Sequence, residues 1–256
     1  MTLQKGDFIV IDYIAKVKET NEVFDTTKED VAKKEHLFKE GRIYEPKLVV
    51  VGEVGWVLKP IDEALTTFEI NKPSTVEISP EKGFGQRDPL KIKRVSIKQL
   101  YAKEINPVVG AQIEFQGKDA TVRSIGAGRV LLDFNPPLAG KTLIYDLTVT
   151  KKFETKEEKI GALIHHRIPI VEENKFRITI QDTCLTIDMP EDAFYIEHIE
   201  IYKRGIAQDI QKFIPDLCET KFVETFKAEP KPAPTIPLPP TPALEAPSPE
   251  TKNSAP

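Results

Sequence analysis

Up to about residue 155 the chain is built from short apolar bursts, and only one stretch among them repeats at helical spacing. Residues 7–17 carry Phe8, Ile9, Val10, Ile11 and Tyr13 in an alternating-to-continuous run, and residues 48–51 are almost wholly apolar. Residues 76–78 follow, then 143–149, the latter alternating Leu143, Tyr145, Leu147 and Val149. Runs of this length and period predict strands. Between residues 60 and 68, Ile61, Ala64, Leu65 and Phe68 fall three and four apart, which places them on one face of a short helix. The pattern predicts an α+β fold whose core is a sheet wrapped on that single helix.

Two further segments have their own character. Residues 87–133 hold short strand candidates at Ile92, Val95 and Ile97, at Ile113 and Phe115, at Val122 and Ile125, and over 130–132. Turn signals separate them at Asn106-Pro107, at Gln116-Gly117 and over 126–128, as expected of a small β-rich domain inserted into a loop. From Thr155 a run of helix formers continues through Ile160, Leu163 and Ile164 to His165-His166. Strand patterns over 176–181 and 185–187 come next. A helix after Pro190 carries Ile199, Tyr202, Ile206, Ile210 and Phe213, and a last strand covers 221–226. Residues 156–228 thus predict a C-terminal α+β domain of about 70 residues, near the small end for independent folding.

Composition changes near Glu229. Residues 229–256 hold ten of the 21 prolines, with only Ile236, Leu238 and Leu244 as larger aliphatics. Such a stretch cannot bury enough to offset its ordering entropy and is expected to be a disordered, partly polyproline tail. A PxxP ligand for an aromatic groove is the functional alternative.

The 36 basic and 40 acidic residues give a net charge of −4 with neither sign in one block, which disfavours nucleic acid as a partner. No apolar run approaches the ~20 residues of a membrane span, and residues 1–7 lack the apolar core of a signal peptide, so a cytoplasmic protein without a membrane partner is expected. Cys184 and Cys218 form no CxxC pair; they are read as buried thiols in a reducing compartment, with a disulfide left open. Phosphate loops, GxSxG elbows and HExxH helices are missing from the sequence. His165 and His166, about 100° apart on a helix, do not share a metal. No metal or cofactor is expected.

The informative motifs lie elsewhere. In order they are Val23-Phe24-Asp25-Thr26-Thr27, Val51-Gly52, residues 57–65 (VLKPIDEAL), residues 78–85 (ISPEKGFG) and residues 138–146 (LAGKTLIYD). Over roughly residues 5–155 this series resembles the signature of FKBP-type peptidyl-prolyl isomerases. It is most similar to a long archaeal group related to SlyD-like proteins, which carry an insert-in-flap domain between the Gly-Phe-Gly and Leu-Ala-Gly segments.

The resemblance implies an FKBP-like antiparallel half-barrel sheet around the helix over 60–68, formed by residues 1–86 and 134–155. It also implies an inserted domain over 87–133 and an apolar pocket between sheet and helix. Tyr13, Phe24 and Asp25 match pocket positions of the first strands. Val57 and Leu58 precede the helix, Ile61 forms the pocket floor, Phe84 lies on the loop after Pro80, Leu138 on the rim and Tyr145 on the last strand. Ile61 stands where many single-domain members have an indole, Phe84 replaces a Tyr, and Pro136 stands where SlyD-like members often have His. Trp56, just before Val57, is expected at the rim or surface. As the bland alternative, Asp25 caps a turn.

These residue types suit isomerisation, which needs no nucleophile: the ~18–20 kcal/mol barrier comes from amide resonance that the twisted state loses. The implied partners are unfolded or partly folded polypeptides containing Xaa-Pro. A client-binding apolar surface is expected on the insert from Ile92, Val95, Leu100, Tyr101, Val108, Val109, Ile113 and Phe115, their own core being the alternative. The competing function is a non-catalytic holdase or assembly factor with a decayed pocket. A homo-oligomer through the C-terminal domain is left open.

Overall fold

The computed structural model describes residues 2–227, so the expected tail over 229–256 lies outside the described residues. In chain order the elements are β1 (Phe8–Val17), β2 (Val23–Thr26), α1 (Glu29–Lys34), β3 (Lys47–Val50), α2 (Lys59–Leu65) and β4 (Ser74–Ile78). Next come β5 (Ile92–Ser96), α3 (Ile97–Tyr101), β6 (Gln112–Phe115), β7 (Lys118–Gly126), β8 (Arg129–Asp133) and β9 (Leu143–Phe153). The rest is α4 (Lys156–Arg167), β10 (Arg177–Gln181), β11 (Cys184–Met189), α5 (Glu191–Phe194), α6 (Ile199–Phe213) and β12 (Glu219–Glu224).

The first sheet is antiparallel with order β2-β1-β9-β4, and β3 also pairs with β1. β9 covers one side of β1 along its whole length, while the other side is shared: β3 pairs with Phe8 to Ile11 and β2 with Ile14 to Lys16. Tyr13 falls in the gap between these two neighbours. There its N–H donates to Thr27 Oγ1 at 3.0 Å and its carbonyl accepts from the Thr27 N–H at 3.2 Å. Helix α2 begins with Pro60 in its first turn, where a missing N–H does no harm, and buries Ile61 and Leu65 against the sheet.

Both faces of this sheet are covered at one end. Ile9, Ile11, Val49 and Val51 face the core under α2, whereas Phe8, Leu48, Val50 and Phe153 join a second core with α4 and α6. The unbroken apolar run over 48–51 has this cause, since a strand buried on both faces has no polar side to alternate with. Residues 156–224 complete that second core. Helix α4 starts at a capping box: Thr155 Oγ1 accepts from the Glu158 N–H at 3.2 Å, and Glu158 returns a carboxylate to the Thr155 N–H. Strands β10, β11 and β12 form a three-stranded sheet, with β11 and β12 parallel and α6 crossing between them.

Residues 87–133 form a four-stranded antiparallel sheet of order β5-β8-β7-β6. Its two junctions with the first sheet are stapled together. Buried Asp133 accepts from Arg87 and Arg123, and Asn135 bonds Asp88 through both its amide atoms at 2.9 Å.

Several expectations are corrected here. Val95, Leu100 and Phe115 are buried in the segment's own core with Val122, Val130 and Leu132, because a sheet this small needs them to fill one face. They offer no surface to a client. Ile92 and Ile113 are half-buried, while Tyr101, Val108 and Val109 are exposed. Ile97 opens helix α3 instead of continuing a strand. Helix α1 carries only one buried residue, Ala32, so it has no apolar period to betray it, and α2 is not the only helix of the first 155 residues. The helix expected after Pro190 is split, since His198 takes a left-handed conformation, φ 60°, before α6. Both cysteines are free thiols, but Cys184 is half-buried and Cys218 exposed.

Candidate active site

A cavity of about 410 Å³ opens between the first sheet and α2. Ile61 from α2, with Ile11 and Leu147 from β1 and β9, gives it an apolar lining. Tyr13, Tyr145, Val57 and Leu58 complete that lining, and Asp25 brings one carboxylate to it. Local sequence places each of these. Alternation on β1 and β9 turns Ile11, Tyr13, Tyr145 and Leu147 to one face. Val57 and Leu58 are held by the N-cap of α2, whose position is fixed when the Gly52 N–H donates to Asp62 Oδ1 at 2.7 Å. Gly52 sits at φ +80° with the Lys5 side chain pressed against it, so a larger residue there would be strained and would collide.

Asp25 is the polar centre. Its Oδ2 accepts the Tyr13 hydroxyl at 2.6 Å, and its Oδ1 accepts from Arg42 at 2.7 Å and from the Thr26 N–H at 3.0 Å. One carboxylate thus accepts from the turn N–H of Thr26 and also lines the cavity. Burial, then the bond to Asp25, raises the Tyr13 phenol far above its usual range. Burial, then the Asp25 charge, pushes Tyr145 up to about 12. The Asp25 carboxylate in turn raises Arg42. At neutral pH the cavity presents two neutral phenols and a carboxylate already held by three donors.

Of the sequence-expected residues, Tyr13, Asp25, Val57, Leu58, Ile61 and Tyr145 line this one cavity. Phe24 stands beside it, its ring edge-on to Tyr145 with centroids 6.0 Å apart. Leu138 packs half-buried against the same core. Phe84 is exposed and does not line the cavity.

One neighbour carries no signal in the sequence. Arg42 lies in an irregular loop 17 residues from Asp25, where no periodicity marks it; Tyr44, stacked on Phe38, supports it at 4.9 Å from ring to guanidinium. Trp56, expected at the rim or surface, is half-buried. It lines the cavity and touches both cores, with His166 at 4.7 Å and Phe213 at 6.1 Å between ring centroids.

Two family models match the chain, FKBP26, IF domain over residues 93–138 and FKBP26_C-terminal over 156–227. A probable FKBP-type 16 kDa peptidyl-prolyl cis-trans isomerase of Pseudomonas fluorescens is 30% identical over 110 residues, covering 41% of this chain and 71% of its own. The short-type peptidyl-prolyl cis-trans isomerase of Methanocaldococcus jannaschii is 35% identical over 147 residues, covering 57% of this chain and 92% of its own. The chain belongs to the FKBP-type peptidyl-prolyl cis-trans isomerases. Another FKBP-type member, SlyD of Helicobacter pylori, is 27% identical over 47% of this chain and 66% of its own length. The crystal structure of the three FKBP domains of wheat FKBP73 aligns with 60% of this chain and 42% of its own at 13% identity and a TM-score of 0.31, a likeness too slight to bear on the fold.

Proposed function

We propose that the cavity over Ile61 grips the proline ring of an Xaa-Pro bond and stabilises its twisted amide. The observation that carries this is the arrangement of an apolar lining beside a single anchored carboxylate. Planar amides owe their ~18–20 kcal/mol rotation barrier to resonance, and twisting removes that resonance together with much of the charge separation. A dry apolar site solvates the planar form less well than the twisted one, so it binds the latter preferentially. Each tenfold in rate asks for about 1.4 kcal/mol of such difference. The Leu58 N–H, which has no hydrogen-bond partner among the described residues, is suited to holding a substrate carbonyl. Asp25 and Tyr13, locked to each other, act as an oriented dipole at the cavity wall rather than as a proton carrier.

In the same reading residues 1–86 with 134–155 are the isomerase domain, 87–133 a client-binding insert and 156–228 a domain docked on the isomerase sheet. Exposed Tyr101, Val108 and Val109 support the insert's role in capturing folding polypeptides. The test compares tetrapeptide isomerisation with catalysis of protein refolding in the full chain and in a chain with 87–131 replaced by a short loop. The tetrapeptide rate should persist and the refolding rate should fall. Equal losses would reduce the insert to a prop for the pocket.

A further inference from the structure

The inserted segment differs from the rest of the chain in charge. Residues 87–133 carry nine lysines and arginines against five carboxylates, a net +4, while the whole chain is −4 and the remainder therefore −8. Arg87 and Arg123 are consumed by Asp133. Lys91, Lys93, Arg94 and Lys118 form no ion pair among the described residues, and all four are exposed. All four also line a single groove of about 560 Å³ that has no carboxylate in its wall.

That groove has a second property. One wall comes from β5 and the other from the end of β6 and the turn into β7, with half-buried Phe134 supplying apolar surface. In the order β5-β8-β7-β6 these two strands are the edges of the sheet, each with a ladder partner on one side only. The sheet therefore curls until its two edges flank the same opening. Strand edges offer unpaired main-chain donors and acceptors to an extended chain. The cations decide which chain enters: they repel a second copy of this basic segment and attract a chain of opposite sign.

We propose that the groove between the β5 and β6 edges binds acidic, extended segments of client polypeptides, with main-chain pairing to an edge and carboxylates on Lys93, Arg94 and Lys118. This rests on reading 87–133 as the client-binding insert and adds the chemistry of what it selects. Two facing strand edges favour a polypeptide over a nucleic acid, whose backbone cannot complete a β-ladder.

The test uses the full chain and fluorescence anisotropy with three short labelled probes: an unstructured Glu/Thr/Phe peptide, the same peptide with Lys in place of Glu, and an oligothymidylate. The Glu peptide should bind best, with affinity falling as salt rises. The double variant Lys93→Glu/Lys118→Glu should bind it about tenfold more weakly at low salt while tetrapeptide isomerisation stays unchanged. Reversing two exposed side chains leaves the segment's core intact, and unchanged circular dichroism would confirm that. Equal binding of the Glu and Lys peptides, an unaffected double variant, or tighter binding of the oligothymidylate would overturn the proposal and leave client capture standing. Full refolding activity without residues 87–131 would instead overturn client capture itself.

Discussion

Trp56 packs against His166 with ring centroids 4.7 Å apart, so the one tryptophan of the chain lies in the cavity wall and against helix α4 at once. Two measurements follow from that position. Tryptophan emission should change when a proline-containing peptide enters the cavity, and change separately when α4 leaves the sheet during unfolding. An emission insensitive to peptide at saturating concentration would place the peptide elsewhere.

His166 also links stability to acidity. Its pKa is lowered, first by burial and then by Arg167. The unfolded state therefore takes up a proton that the folded state resists, and stability present above the ordinary histidine value near 6.5 falls as pH drops through it. Urea midpoints should decline below about pH 6.5, and the His166→Gln variant should show a flatter decline. Parallel curves would remove His166 as the cause.

At the alkaline end the sign reverses. Tyr145 keeps its proton to about pH 12 in the folded state, whereas an unfolded tyrosine loses it near 10. Stability is unaffected below about pH 10 and is lost as pH rises toward the folded value. Tyrosinate absorbance should appear in step with unfolding for this residue, and Tyr145→Phe should move the alkaline transition upward. No shift on that substitution would mean that the phenol titrates in place.

Arg42→Ala should lower kcat/KM for a tetrapeptide by about tenfold, and Asp25→Ala by at least as much, with little change in melting temperature. The reason is that each removes bonds that orient Asp25 and Tyr13 at the cavity wall, while an ion pair this exposed contributes only about 0–1 kcal/mol to folding. Losses that track stability would assign the triad to folding alone.

Phe8→Ala should destabilise the whole of residues 2–224 by about 3–5 kcal/mol, since Phe8 is buried with Leu48, Val50 and Phe153 under α4 and α6 and meets the Phe213 ring edge-on at 5.7 Å. Calorimetry should give one shifted transition. A second, unshifted transition would show that residues 156–224 fold without the sheet.

The strands of the first sheet were readable because β1 and β9 alternate, and α2 because its apolar residues keep helical spacing. The run over 48–51 announced a strand but not that two cores meet on it, since an apolar residue does not say which partner covers it. Val95, Leu100 and Phe115 were misplaced for the same reason: composition counts apolar side chains, and only the curl of the sheet decides which are inside. Pocket residues from five motifs could be assembled through family resemblance, whereas Arg42 and Trp56 depend on a loop's path and on a packed helix, which leave no periodic trace.

The central claim is that the cavity over Ile61 catalyses Xaa-Pro isomerisation, and a proline-limited refolding reaction tests it most directly. Uncatalysed, its slow phase takes tens to hundreds of seconds at 25 °C. Catalytic amounts of the full chain should accelerate that phase in proportion to enzyme concentration, and Asp25→Ala should remove most of the acceleration. A slow phase unchanged by the folded wild-type chain would contradict the account.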